Sequence, residues 1–274
     1  MGTRFLPATK AVPKELLPMI DTPALQLVLD ECVGAGIEHV VVVTSRAKPA
    51  IEAYFEPAPD VVARLRATGR EAMATTLERV GTDLRISFAY QDAPHGLGHA
   101  VGCAREAVGD EPFAVLLPDE LMADSGLLRQ MIDVCERTDG SVVGLKEVPH
   151  DEVGAYGVIA PTGAADTDGV VGIRTMVEKP APADAPSDLI IIGRYVLTND
   201  VFDLIDRVQP GAGGEIQLTD ALRMQAESGP FHGVLGTTTR FDTGTPFGWL
   251  TAVIDRALAD PAMGPALRAW LAGR

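Results

Sequence analysis

The sequence has few cysteines and no long apolar run. Its three cysteines, Cys32, Cys103 and Cys135, lie far apart and form no CxxC pair, so neither a zinc ribbon nor a disulfide framework is indicated. The longest apolar runs, such as Val40 to Val43 and Phe113 to Leu117, have the length of strands, and no basic region precedes an apolar stretch at the N-terminus. We therefore expect reduced thiols, no signal peptide, no transmembrane helix and a cytoplasmic location.

Positive charge is also scarce. The formal net charge of −15 would repel nucleic acids and anionic membranes over the whole molecule, so we expect neither as a partner. The first twenty residues are the exception, because Arg4, Lys10 and Lys14 stand there against the single acid Glu15. A local cationic pocket on an acidic protein suits a small polyanion.

Alternation of short apolar β-branched runs with helix-period stretches predicts an α/β fold. The expected architecture is Rossmann-like: a mixed, mostly parallel central sheet flanked by helices. The polar stretch from Glu56 to Thr82 is expected to form helical insertions on the surface. We expect a catalytic domain over residues 1–249 and a helical tail over residues 250–274. The predicted strands are His39 to Thr44, Ile86 to Tyr90, Phe113 to Pro118, Ser141 to Val148, Tyr156 to Ala160, Gly172 to Glu178, Leu189 to Leu197 and Phe231 to Leu235.

Three segments carry residue types that suit a phosphorylated ligand. The N-terminal stretch MGTRFLPATKAVPKELLP combines glycine, threonine and cations, which supply backbone N–H groups and fixed charge to phosphates. Taken alone, the stretch would be interpreted first as an irregular N-terminal extension. Gln91, followed by a glycine-rich turn at Gly96, offers the donor and acceptor that match the imide edge of uracil. His99 in the same turn is a general base or, the interpretation we favour, a packing residue.

Acidic residues follow two predicted strands. Asp119 comes directly after an apolar strand, at the edge where open α/β sheets bind ligands, and a carboxylate oxygen suits Mg²⁺. A single aspartate in a turn is a weak signal by itself. Glu178 and Lys179 form an acid–base pair that suits sugar hydroxyls and a sugar phosphate, although Glu-Lys-Pro is also a common surface tripeptide.

Together these motifs resemble the nucleoside-diphosphate-sugar pyrophosphorylases, in particular the bacterial branch that uses UTP and glucose 1-phosphate. Gly2-Thr3-Arg4 and Pro13-Lys14-Glu15-Leu16-Leu17-Pro18 match the family's phosphate loop, and Phe241-Asp242-Thr243-Gly244 matches its second metal motif. Five motifs occur in the family's order from Gly2 to about Trp249. The resemblance implies a nucleotide-diphospho-sugar transferase fold and the following roles: catalytic Arg4, Lys14 and Lys179; substrate-binding Gly2, Thr3, Glu15, Gln91, Gly96, Gly157 and Glu178; and metal-binding Asp119 and Asp242.

The sequence departs from the family at its start. Members begin with an apolar strand that runs into Ala-Ala-Gly just before the position of Met1, and this sequence lacks that strand. Because a central strand would be lost from the sheet, either the true start lies upstream, which we expect, or the protein is impaired.

The resemblance implies an enzyme that makes UDP-glucose and pyrophosphate from UTP and glucose 1-phosphate with Mg²⁺, and a homodimer or homotetramer with contacts through the tail. Two alternatives stay open. One is a pyrophosphorylase of other specificity, such as a thymidylyltransferase. The other is a non-catalytic paralogue that binds sugar nucleotide without turning it over.

Overall fold

A computed structural model describes residues 3–211 and 214–273 of the chain. The helices are α1 Ala24–Gly34, α2 Pro49–Ala53, α3 Pro59–Ala67, α4 Glu71–Glu78, α5 Leu97–Gly102, α6 Arg105–Val108, α7 Gly126–Thr138, α8 Val201–Ile205, α9 Leu218–Ser228, α10 Pro246–Ala259 and α11 Gly264–Ala272. The strands are β1 Pro18–Met19, β2 Thr22–Pro23, β3 His39–Thr44, β4 Arg85–Tyr90, β5 Phe113–Leu116, β6 Glu120–Met122, β7 Ser141–Glu147, β8 Gly157–Pro161, β9 Val170–Glu178, β10 Leu189–Leu197, β11 Phe231–Leu235 and β12 Arg240–Asp242.

The largest sheet has six strands in the order β5-β10-β7-β11-β9-β8. Strands β7 and β11 are parallel, whereas the other neighbours in this sheet pair antiparallel. Strands β3 and β4 form a separate parallel pair, and β12 pairs antiparallel with β6.

The α/β class expected from the sequence is therefore confirmed. Within the described residues, however, the parallel pairs are β3–β4 and β7–β11, and the other pairings are antiparallel, so the six-stranded sheet is not mostly parallel. Strand direction differs because β10 runs between β5 and β7 and opposite to both. A continuous apolar run indicates that a strand is buried on both faces. It does not indicate whether the strand pairs parallel or antiparallel with its neighbours.

Alternating side chains of the central strands supply two cores, one on each face of the sheet. Val143 and Tyr195 belong to the cluster covered by α8 and α9, whereas their neighbours Val142 and Val196 belong to the cluster covered by α7. Successive strand residues point to opposite faces, so both faces of β7 and β10 must be apolar. Helix α7 buries Leu127, Leu128, Met131, Val134 and Cys135, a spacing that places them on one helical face.

The pair β3–β4 lies beside β5, because Leu116 packs into the same apolar cluster as Val40 and Val42. Helix α10 begins directly after the second acidic motif, where Pro246 is its first residue and the Thr245 side chain caps it by accepting from the Gly248 N–H. The helix runs across the predicted boundary at residues 249 and 250, and that division into domain and tail stays a prediction. Within the described ranges, no helix is long and apolar enough to cross a bilayer.

Candidate active site

Two carboxylates from distant segments converge at the end of β5. Asp119 lies in the turn after β5, and Asp242 ends β12, directly opposite Glu120 in the antiparallel pairing. The backbone N–H and the hydroxyl of Thr243 both donate to the Asp119 carbonyl, at 2.8 and 2.9 Å. A Cβ atom placed on Gly244 would lie 3.0 Å from Asp242 Oδ1 and 3.4 Å from Asp119 Oδ2. The structure therefore brings the two predicted metal ligands together.

Two cations of the N-terminal loop border these carboxylates. Lys14 Nζ lies 2.6 Å from Asp119 Oδ2, in an ion pair that is partly exposed to solvent. Arg4 donates to the Gly244 carbonyl at 3.3 Å. Thr3 shares a 3-10 turn with Arg4 and is exposed, and Gly2 lies outside the described residues. The loop thus brings Arg4 and Lys14 to the acidic pair.

This donor set suits a divalent cation that is shared with a phosphorylated ligand. Among the residues that the structure describes, no three or more acidic, histidine or cysteine side chains are grouped so that they could hold a metal ion. Mg²⁺ is typically held by one or two carboxylates and completes its shell with water and phosphate oxygens. Asp119 and Asp242 would supply the two carboxylates.

The predicted sugar residues form a second cluster. Glu178 accepts a hydrogen bond of 2.6 Å from the Thr219 hydroxyl and lies 3.0 Å from Lys179 Nζ. A Cβ atom on Gly157 would lie 3.4 Å from both Glu178 Oε2 and Thr219 Oγ1, so glycine keeps this space open. Helix α9 thus contributes Thr219 to a site built by β8 and β9.

A buried ion pair and two tyrosines lie between the clusters. Arg240 Nε donates to Glu120 Oε2 at 2.5 Å, and the guanidinium carbon is 5.7 Å from the centroid of the Tyr156 ring. Burial acts to lower the pKa of Arg240, but the hydrogen bond to Glu120 and the electrostatic interactions with Glu120, Tyr156 and Asp242 together outweigh burial and raise it. Burial, together with the charges of Glu120, Glu178 and Asp119, raises the pKa of Tyr195. Tyr195 is therefore a neutral phenol close to carboxylates of both clusters.

Sequence reasoning missed Arg240, although a signal was present. Arg240 precedes Asp242 by two positions on one strand, a spacing that places both side chains on the same face. Its Nη2 atom is buried and has no hydrogen-bond partner within the described part of the chain. The strand β12 went unpredicted because three residues are too few to show an alternating pattern.

The predicted uracil-reading residues are in contact. The Gln91 side-chain N–H₂ group donates to the Gly96 carbonyl and to His99 Nδ1, both at 3.0 Å. Gly96 has a φ of +95°, and a Cβ atom there would lie 2.6 Å from the Ile216 carbonyl oxygen, so only glycine fits this turn. Both amide hydrogens are therefore used, and no residue in the described part of the chain donates to the Gln91 carbonyl oxygen, which is available to accept from a ligand.

Glu15, predicted to bind substrate, pairs with Lys48 Nζ at 2.9 Å and is largely buried. Its second oxygen, Oε2, is buried without a hydrogen-bond partner among the described residues. The ion pair ties the N-terminal loop to the start of α2. A substrate contact by Glu15 stays a prediction.

Comparison with known proteins gives one consistent family. The model for the family described as nucleotidyl transferase matches residues 1–255. The chain is 43% identical to a UTP--glucose-1-phosphate uridylyltransferase of Streptococcus pneumoniae serotype 4, with 99% of this chain and 92% of that protein covered.

Solved structures of similar proteins indicate the same family. A UDP-glucose pyrophosphorylase complexed with UDP-glucose superposes with a TM-score of 0.83 at 36% identity, over 94% of this chain and 95% of that one. A UTP-bound UGPase from Acinetobacter baumannii gives a TM-score of 0.90 at 33% identity, over 98% and 94% of the two chains.

We predict that Asp119→Asn and Asp242→Asn each weaken divalent-cation binding by about tenfold or more, because each removes one of two charged oxygen ligands. Titration with Mn²⁺, followed by electron paramagnetic resonance, measures this directly. Asp255→Asn, an exposed carboxylate on α10, is the matched control and should bind as the unaltered chain does. Unchanged affinity in both site variants would place the cation elsewhere.

Proposed function

The chain belongs to the nucleotidyl transferase family, and from this premise we propose that it makes UDP-glucose and pyrophosphate from UTP and glucose 1-phosphate. The observation that carries the proposal is the convergence of Asp119, Asp242, Arg4 and Lys14 around Gly244. Named relatives of nearly the same length, and solved structures with UTP and with UDP-glucose bound, support the substrates.

The chemistry needs no protein nucleophile. An oxygen of the sugar phosphate attacks the α-phosphorus of UTP in line and forms a new P–O bond. The bond from the α-phosphorus to the bridging oxygen breaks, and its electron pair leaves with pyrophosphate. Because the reactants are both polyanions, positioning and charge neutralisation are what the protein must supply.

The described side chains suit these tasks. Arg4 and Lys14 would neutralise the triphosphate, and Lys179 would hold the sugar phosphate while Glu178, oriented by Thr219, accepts from hexose hydroxyls. Gly2 and Thr3 would supply phosphate-loop backbone, and Gly157 would leave room for the sugar.

Enzymes of this family generally need a divalent metal ion, and we propose Mg²⁺. When bound by Asp119 and Asp242, it would supply fixed positive charge to the phosphate oxygens. Lys14 lies against Asp119, so the cation and Lys14 would share the charge of one carboxylate.

The 274-residue chain, incubated with UTP, glucose 1-phosphate and Mg²⁺, should release pyrophosphate, and Asp119→Ala should abolish most of that release. A coupled pyrophosphate assay measures both. If the chain binds UDP-glucose but releases no pyrophosphate, the non-catalytic alternative is correct. Faster turnover with dTTP than with UTP would instead favour a thymidylyltransferase.

We further propose that the Gln91 carbonyl oxygen accepts from N3–H of uracil. In cytosine N3 is itself an acceptor, so the same oxygen disfavours CTP. Gln91→Met should lower kcat/KM for UTP by about tenfold, corresponding to the loss of one buried hydrogen bond, and leave the low CTP rate nearly unchanged. Gln130→Met, which removes a glutamine bonded to the Asp168 carbonyl outside the site, is the control. An unaltered UTP-to-CTP ratio in Gln91→Met would refute the assignment.

We propose a cytoplasmic place of action because UTP and sugar phosphates are cytoplasmic metabolites and the three cysteines are free thiols.

The terminal helices are proposed as the contact of a homodimer or homotetramer. Phe247, Leu250, Trp270 and Leu271 are between 45% and 75% exposed on α10 and α11. Sedimentation equilibrium should give the mass of two or four chains, and Trp270→Asp should reduce it. Met73→Asp, at a comparably exposed position on α4, should not. A single-chain mass at micromolar concentration contradicts the proposal.

A further inference from the structure

A fully buried arginine lies directly beneath the acidic pair. Arg194 stands in β10, where the other eight residues are apolar, glycine or tyrosine, and its side chain is 0% exposed. Its partner is Glu31 of α1, in a two-point ion pair with Nε to Oε1 at 2.8 Å and Nη2 to Oε2 at 2.7 Å. A buried charge is costly unless all its donors are satisfied.

The remaining donors of Arg194 reach backbone carbonyls. Nη1 donates to the Gly193 carbonyl at 2.8 Å and to the Leu117 carbonyl at 3.2 Å, and Nη2 donates to the Glu120 carbonyl at 2.8 Å. All five guanidinium N–H groups are therefore used. Leu117 and Glu120 bracket the two-residue turn that contains Asp119.

The same contacts reach the second acidic residue. Glu120 is the first residue of β6 and lies directly opposite Asp242 in β12. Fixing the Glu120 carbonyl therefore also fixes the strand against which Asp242 is placed. Thr243 completes the arrangement from the other side through its two hydrogen bonds to the Asp119 carbonyl.

We propose that Arg194, held by Glu31, is a positioning residue that sets the spacing of Asp119 and Asp242 for a divalent cation. This inference rests on the proposed function for its catalytic consequence, while its structural part concerns cation affinity alone. The planar, fixed fork of arginine suits this role, because one rigid group must bind a carboxylate and three carbonyls at once. Lysine carries the charge but has only three donors on a flexible stem.

The alternative hypothesis is that the Arg194–Glu31 ion pair only stabilises the fold. Under it, substitutions would change the free energy of unfolding without altering cation affinity in the folded fraction. The two readings therefore differ in a measurable quantity other than activity.

The test uses Arg194→Lys and the double variant Glu31→Met with Arg194→Met. Replacing a whole buried ion pair by apolar side chains of similar size is often tolerated, whereas removing one partner leaves an unpaired charge. The double variant therefore keeps a folded core while the Leu117 and Glu120 carbonyls lose the hydrogen bonds that Arg194 donates to them. Leu128→Ala, a fully buried position in α7 away from the site, is the control for lost stability.

We expect the Mn²⁺ dissociation constant, measured without substrates, to rise by about tenfold in Arg194→Lys and in the double variant, as for other groups that orient metal ligands. The Mg²⁺ concentration for half-maximal rate should rise in parallel, and the KM for glucose 1-phosphate should change by less than about twofold. Leu128→Ala should show a lower unfolding midpoint with normal Mn²⁺ affinity.

Normal Mn²⁺ affinity in folded Arg194→Lys and in the double variant would overturn the inference. If the double variant does not fold, the folded Arg194→Lys protein decides alone. Failure of the unaltered chain to release pyrophosphate would refute the proposed reaction, and the Mn²⁺ comparison would still decide the role of Arg194.

Discussion

The site depends on keeping two backbone segments in contact that lie 124 positions apart in the chain. Thr243 bonds to the Asp119 carbonyl from one side, and the short pairing of β6 with β12 continues that contact along the strands. Neither strand has more than three residues, so the pairing cannot be stable in isolation. Its stability must come from its surroundings: the capped helix α10 that follows it and the buried β10 beneath it.

Charge is the second constraint, because an acidic chain is proposed to bind polyanions. The chain has few cations overall, but several of them lie at the candidate site. Lys14 and Lys179 each contact a carboxylate, and each pair is partly exposed. Partly exposed ion pairs contribute little to the free energy of unfolding. A phosphate that binds the lysine ammonium group in place of the carboxylate therefore costs the protein little stability. The buried pair Arg240–Glu120 is different, since breaking it would leave a desolvated charge.

The sequence predicts those parts of the fold that local pattern controls. The bounds of β3, β10 and β11 agree with the predicted strands because each consists mainly of β-branched or other apolar residues and is bounded by polar or turn residues. Strand order and direction were not predictable, since they are decided by contacts between distant segments. The convergence of Asp119 and Asp242 was predicted through resemblance and not through periodicity. Arg194 was overlooked, although a lone arginine in an apolar strand indicates a buried partner.

Lys179 shows why a site residue can differ from its surroundings in backbone geometry. Its φ is +45°, in the left-handed region that costs a non-glycine residue roughly 1–2 kcal/mol. Its N–H donates to the Tyr156 carbonyl at 2.9 Å, while its side chain turns back to Glu178. An extended residue would continue β9 and carry the ammonium group past the carboxylate. The strained turn instead holds the cation beside Glu178, where the proposed sugar phosphate needs it, and Pro180 fixes the chain immediately after it.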